Sequence, residues 1–239
     1  MMEHPVASVS LACLVLVVTA GCLNAQSSPA GLNTLTAEER AAGWRLLFDG
    51  STTNGWRGYM KDEMPAGWTA SDGALARVAE GGDIITTEKF SDFELAFEFR
   101  VEKGGNSGVF YRAIEGPDYI YYGAPEFQVL DDAAHQDGAS PLTSTGANYA
   151  LHPAQSGVAR PAGEWNTARI VVNGNQVEHW LNGQKVVEYE LGSSDWVQRV
   201  AGSKFSEWPE YGKAGEGHIG LQDHGDAVWY RNIKIRELR

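Results

Sequence analysis

The sequence predicts an all-β fold, two antiparallel sheets packed face to face as a sandwich, with one minor surface helix. Three observations carry that expectation. Apolar and polar residues alternate with a period of two through most of the chain after Trp44, as strands do when one face lies on a core. Asn173-Gly174 and Asn182-Gly183 stand between such runs, and Asn-Gly favours the tight turn of a hairpin. The 28 Gly, 8 Trp and 9 Tyr suit a turn-rich β fold with aromatic packing.

The chain opens with a short apolar run, Val9 to Ala20, too short for a bilayer-spanning helix, which needs about 20 residues. It closes on Thr19-Ala20-Gly21-Cys22, small residues before a cysteine, the pattern of a bacterial lipoprotein signal. Residues 1–21 are therefore expected to be a signal peptide, with Cys22 lipidated and the product anchored in the cell envelope, periplasm or outer membrane. Leu23 after Cys22 is the pattern of outer-membrane sorting. Glu3 and His4 replace the usual basic residues, so ordinary cleavage near Ala25 stays open as the alternative. Residues 22–36, rich in Ser, Gly, Ala and Pro, read as a flexible tether, and 37–239 as a single domain.

Thr36-Ala37-Glu38-Glu39 has capping-box spacing and predicts a short helix. Phe93 to Val101 then alternates strictly, its odd positions apolar and its even ones mostly charged. The same alternation recurs in Val109 to Arg112, Glu126 to Leu130, Ala168 to Val172, Val177 to Leu181, Val186 to Tyr189 and His218 to Gln222. One segment departs from it: Ser194 to Ala201 has a Ser cap and near-helical apolar spacing, and predicts a short surface helix. About ten strands without a βαβ rhythm imply a concanavalin A-like jelly roll.

A formal charge of −12 argues against nucleic acid or anionic lipid as ligands. Cys13 and Cys22 are the two cysteines, both ahead of the predicted domain, so the fold has no thiol for a disulfide or a thiolate metal site.

In each strand the apolar set fixes the core face and leaves the other set as a surface. Phe127 and Val129 point inward, so Glu126 and Gln128 share the outward face, with Asp131 and Asp132 at the strand end. Ile219 and Leu221 place His218, Gln222 and His224 outward. Val109 and Tyr111 leave Phe110 and Arg112 outside, and Glu94, Glu98 and Arg100 are expected to complete one polar face. Trp180 and Glu178 lie opposite Val177 and Leu181, which offers the Trp180 ring to a sugar. His179 points into the core, and Trp44, Trp56, Trp68 and Trp229 read as core or corner aromatics. No cofactor is expected, although Asp131 to Gly138, with His135, is where a hard divalent cation would find suitable ligand types.

Leu47-Phe48-Asp49-Gly50, Gly55-Trp56, Gly105 to Arg112, Glu126 to Asp132, Thr145 to Tyr149, Gly163 to Asn166, Glu178 to Gly183 and Gly217 to Gly225 occur in order. Together they resemble the 3-keto-disaccharide hydrolase family, from Trp44 to Leu238. The resemblance implies a concanavalin A-like fold and action on small carbohydrate glycosides already oxidised at C3 by a partner sugar 3-dehydrogenase. Cleavage would be hydrolysis, or elimination followed by hydration. A retaining glycosidase needs two carboxylates about 5 Å apart, whereas the strand here offers Glu126, Gln128 and Leu130. A 3-keto group instead acidifies the C2 hydrogen, so one base, one electrophile and one acid suffice. Glu126 is expected as the base, Arg112 as the group holding the enolate oxygen and His224 as the acid toward the leaving oxygen. Gln128, Gln222, Asn106, Tyr149 and Asp131 are expected to orient hydroxyls. Two other readings stay open: a non-catalytic, lectin-like carbohydrate-binding lipoprotein, and a laminin G-type protein-binding domain.

Overall fold

The structure, a computed structural model, describes residues 1–2 and 31–238. The expected signal segment, Cys22 and most of the tether lie outside the described residues. Thirteen strands appear in chain order: β1 (Arg45–Leu46), β2 (Trp56–Gly58), β3 (Trp68–Ser71), β4 (Ala74–Arg77), β5 (Ile84–Thr86), β6 (Phe93–Val101) and β7 (Asn106–Ala113), then β8 (Glu126–Leu130), β9 (Asn166–Asn173), β10 (Gln176–Leu181), β11 (Gln184–Glu190), β12 (His218–Leu221) and β13 (Val228–Glu237). Eight form one antiparallel sheet, along the order β11-β10-β9-β6-β13-β4-β3 with β1 added beside β13. Five form the other, in the order β2-β5-β12-β7-β8. The chain is a two-sheet sandwich of the jelly-roll type. Its strands outnumber the ten expected because β1, β2 and β5 are too short for a visible alternation.

Local signals act as expected at several points. Thr36 caps α1 (Ala37–Ala41), accepting from Glu39 N, while the Glu39 carboxylate accepts from Thr36 N. Ser193 caps α2 (Ser194–Ala201), whose Trp196 is buried. Asn182 and Gly183 adopt φ of 48° and 82° and join β10 to β11 as a tight hairpin. At the β9–β10 turn Asn173 pairs with Gln176, so Gly174 and Asn175 form the loop, one residue later than expected.

Phe93, Leu95, Phe97 and Phe99 of β6 face Val109, Tyr111, Phe127 and Val129 of the smaller sheet across one core. His179 lies within it, fully buried, its Nδ1 against Gly146 O and its Nε2 against the Tyr111 hydroxyl, both at 2.9 Å. Burial pulls its pKa down to about 3, so the ring is neutral.

A second apolar cluster lies outside the smaller sheet. There Ile120, in a 3-10 turn over Ile120–Tyr122, packs with Tyr59, Ile85, Phe110, Ala113 and Ala124. Phe110 does face away from the main core, as parity predicts, but the turn roofs it over and it is fully buried. That roof covers one half of the outer face and leaves the other half open.

Candidate active site

The open half is a pocket of about 180 Å³. Its floor follows from register. Gly108 of β7 pairs with Gln128 of β8, and Gln222 N donates to Gly108 O on the other side. Three neighbouring strands therefore present Gln222, Gly108 and Gln128 in a row. Glycine in the middle leaves room for the Glu126 carboxylate, because a Cβ at Gly108 would lie 2.1 Å from Glu126 Oε1 and displace it. The Glu126 side chain folds into the space a larger residue would fill. The next row holds Gly220, whose gap is filled by Ile120 Cδ1.

The walls come from irregular segments. Residues 146–149 run along the β8 edge, with Gly146 N donating to Gln128 O and Tyr149 N to Glu126 O. This brings Tyr149 over the pocket, its hydroxyl donating to Asp137 Oδ2 at 3.3 Å. Lys204 enters from a 3-10 turn over Lys204–Glu207, its Nζ 4.6 Å from the Tyr149 ring centre and 5.5 Å from that of Tyr121. His224 enters from the loop after β12 and completes the lining with Asn106. Neighbouring Asp223 fixes that loop, accepting from Arg77 Nε, Gly81 N, Gly82 N and Gly225 N.

Glu126 is the carboxylate among the lining residues. Burial pushes its pKa up to about 8; nearby Lys204 draws it down, while Asp83 and Asp137 push it further up. Tyr149 is raised to about 12 by burial and by the charges of Asp137 and Glu126, so it stays a protonated donor. Asn106 Oδ1 and Gln222 Oε1 are buried without a hydrogen-bond partner. Two acceptors in that condition at one pocket are suited to hydroxyl donors, since a buried unpaired polar atom costs about 1–3 kcal/mol. Gln128 uses Oε1 on Val129 N and keeps its amide NH₂ as a donor.

Of the nine residues expected to bind or react, Glu126, His224, Gln128, Gln222, Asn106 and Tyr149 meet in this pocket. Arg112 does not. Ala113 pairs with His218 and Phe110 with Gly220, so β7 carries an extra residue there, and Arg112 sits at φ 50° in a β-bulge. The bulge turns its side chain away, to Ser91 O, Gly174 O and Asp92 Oδ1. Asp131 is also elsewhere, its oxygens accepting from Gly104 N and Ala133 N. Trp180 lies on the outer face of the larger sheet beneath Arg169, as do Glu94, Glu98 and Arg100 of β6, which therefore do not extend the pocket. His218 is buried, its Nδ1 against Thr86 O, because its strand end tucks behind β5.

Tyr121 and Lys204 are the lining residues that the period-two reading misses. Both stand on 3-10 turns, where parity has no meaning. The run Tyr119-Ile120-Tyr121-Tyr122 was the available signal for the first, and nothing local marks Lys204. In the acidic loop the Asp131 oxygens accept from Gly104 N and Ala133 N, and His135 Nδ1 accepts from Asp137 N. Among the described residues no three His, Cys, Asp or Glu side chains are grouped to hold a metal. A larger, mostly apolar groove of about 530 Å³ runs beside α2, but it lacks the converging polar groups of a reactive site.

The 3-keto-alpha-glucoside-1,2-lyase-like domain matches residues 43–236. The chain belongs to that family. It is 41% identical to a 3-keto-disaccharide hydrolase of Bacteroides thetaiotaomicron, over 87% of this chain and 83% of the relative. A crystal structure of a candidate glycosyl hydrolase from Parabacteroides distasonis superposes with a TM-score of 0.81 at 34% identity, over 87% of this chain and all of the other. A carbohydrate-binding module from Bacillus subtilis shares the fold alone, with a TM-score of 0.52 at 11% identity, covering 77% of this chain and 96% of the module.

Proposed function

We propose that the protein is a carbohydrate-cleaving enzyme that opens 3-keto-glycosides through an enolate, with Glu126 as the base. The observation that carries this reading is a single buried carboxylate, raised to about 8, lying over Gly108 in a pocket that also holds two unpartnered amide oxygens. One carboxylate cannot supply the pair that ordinary glycosidases use. It suffices where the substrate carries its own activating ketone.

In the proposed sequence Glu126 takes the proton from C2, and the C–H electrons form the C2=C3 enolate with charge on the C3 oxygen. That charge then returns to the carbonyl as C1=C2 forms and the C1–O bond breaks toward the leaving group. His224 supplies the proton to the departing oxygen. Addition of water at C1 and return of a proton to C2 yield the free 3-keto-sugar. Arg112 is withdrawn from the enolate, and Lys204, the cation of the pocket lining, takes its place. Asn106 and Gln222 accept from ring hydroxyls, and the Gln128 NH₂ donates to one. None of these steps requires a metal or organic cofactor.

The substrate would arrive from a sugar 3-dehydrogenase. The reading also places the enzyme outside the cytoplasm on a lipidated Cys22. Cys22→Ser should release it from the membrane fraction; unchanged partitioning would remove the anchor.

The test follows a 3-keto-glucoside and its unoxidised parent by NMR in D₂O, with and without chelator. Cleavage of the keto substrate alone, unaffected by chelator and with deuterium entering C2 faster than in buffer, is expected. Binding of both sugars without turnover would identify a lectin-like protein instead. Cleavage with C2 hydrogen retained would exclude the enolate.

A further inference from the structure

One wall of the pocket continues outward as a cluster of aromatic rings that the proposed chemistry leaves unused. Tyr121 lines the pocket and stacks on Tyr119, with ring centres 5.4 Å apart and planes at 26°. It meets Tyr122 and Trp208 edge to face, at 4.9 Å and 5.8 Å. Tyr122 and Trp208 stack on each other at 4.0 Å and 24°. Four rings from two separate 3-10 segments therefore form one stepped surface that begins inside the pocket and ends at Tyr119, which is 53% exposed.

Such a cluster costs solubility unless something covers it. The two turns are well anchored for a scaffolding purpose, since buried Ile120 and Phe205 hold them to the sandwich. Anchoring of that kind does not require the neighbouring rings to be aromatic or half exposed.

We infer that this wall is the leaving-group subsite, and that it holds the second pyranose ring of a 3-keto-disaccharide against the exposed ring of Tyr119, which Tyr121 backs by stacking. The inference rests on the proposed activity. It follows from continuity: Glu126 lies in the pocket, the rings lead outward from it, and Tyr121 belongs to both. The C–H face of a pyranose stacks on aromatic rings as a hydrophobic body. The phenolic hydroxyls of three tyrosines, with Lys204 Nζ 5.5 Å from the Tyr121 ring centre, supply hydrogen-bonding groups at the edge, which a polyol uses and a bare aryl group does not. Stacking on these rings holds the leaving group without touching the reacting atoms, so the subsite should appear in KM more than in kcat.

The experiment compares a 3-keto-disaccharide, methyl 3-keto-glucoside and phenyl 3-keto-glucoside on the wild type, Tyr119→Ala, Tyr121→Ala and Tyr121→Phe. Tyr119→Ala is expected to raise KM for the disaccharide about tenfold with the methyl glycoside changed less than twofold, whereas Tyr121→Ala, which also alters the pocket lining, should cost more on the disaccharide than on the methyl glycoside, with Tyr121→Phe keeping the stacking and restoring part of the loss. Equal loss on all three substrates, or no loss on the disaccharide, overturns the subsite; loss confined to the phenyl substrate assigns it to planar aryl groups and overturns the sugar assignment. Absence of wild-type turnover on every substrate would instead count against the proposed activity. In that event calorimetric titration with the disaccharide and the methyl glycoside decides the subsite alone, since Tyr119→Ala must weaken the first and spare the second.

Discussion

Both sheets of the sandwich present polar outer faces, yet the two have opposite electrostatic character. On the larger sheet most charges are matched among themselves, although Arg100 Nε and Arg236 Nε are buried without a hydrogen-bond partner. Glu94 accepts from Arg169 and Arg236, Glu98 from Arg231 and Asn232, and Glu178 from Trp180 and Lys185. Arg100 lies between the rings of Trp165 and Trp229. On the smaller sheet Glu126 has no matched cation at contact distance, and two amide oxygens have no partner. Carboxylates held by matched cations gain little from a ligand, whereas a buried carboxylate with no cation at contact distance and unpaired acceptors in the same pocket is poised to bind. Outward-facing polarity in a sequence is therefore a weak indicator of a site until its pairing is known.

The sharpest way to break this comparison is Glu126→Gln. Turnover of a 3-keto-glycoside should fall about 10²–10⁴-fold, the usual contribution of a positioned base, with sugar binding retained. Retained turnover would strip Glu126 of its role. In the wild type, ionisation of Glu126 should appear in kcat/KM as a rising limb that ends near about 8, because the base works only after losing its proton, with any fall at higher pH belonging to the proton donor; a profile without that rising limb would count against Glu126 as the base.

Arg112→Ala should act on stability in place of chemistry. Losing its bonds to Ser91, Gly174 and Asp92 should cost about 2–3 kcal/mol, read as a lower denaturation midpoint, while activity per folded molecule stays within twofold. A large loss of activity in folded protein would return Arg112 to the site.

The raised Glu126 pKa also has a stability consequence. Its folded value of about 8 exceeds the unfolded one, so the native state holds the proton more tightly and stability falls as pH rises from about 4.5 to 8. Glu126→Gln removes that penalty. Melting temperature should be unchanged near pH 4.5 and higher by several degrees at pH 8, corresponding to about 1–3 kcal/mol. Asp223→Asn, which loosens the loop carrying His224, should lower kcat about tenfold with less effect on KM. Trp180→Ala, on the self-satisfied face, is expected to change activity less than twofold, as chromogenic or NMR assay would register; a tenfold loss would place substrate on the larger sheet.

Much of the site was legible because β-strands translate sequence parity directly into faces. Glu126, Gln128, Gln222 and Asn106 could be placed outward from the apolar residues between them, and His179 inward. The reading failed where backbone geometry breaks the period. At Arg112 one extra residue in β7 redirects the side chain, and nothing in Gly108 to Arg112 announces the bulge. It also failed for Trp180, Glu94, Glu98 and Arg100, because parity names a face but not the sheet it belongs to. Tyr121 and Lys204 were invisible for a third reason: they stand on short turns that pack from far along the chain.

By itself the sequence determined which residues avoid water, hence the strands, their inner faces and the two-sheet sandwich, since burying alternate apolar side chains admits few other arrangements. It also determined that Glu126 would be the lone carboxylate of its strand face. Only the tertiary structure decided which outward residues would meet, because that depends on strand order and on loops closing over one half of a sheet. The same closure decided the chemistry: the carboxyl pKa near 8 comes from burial beneath Tyr149 and the two 3-10 turns, an environment that no neighbouring residue in the chain encodes.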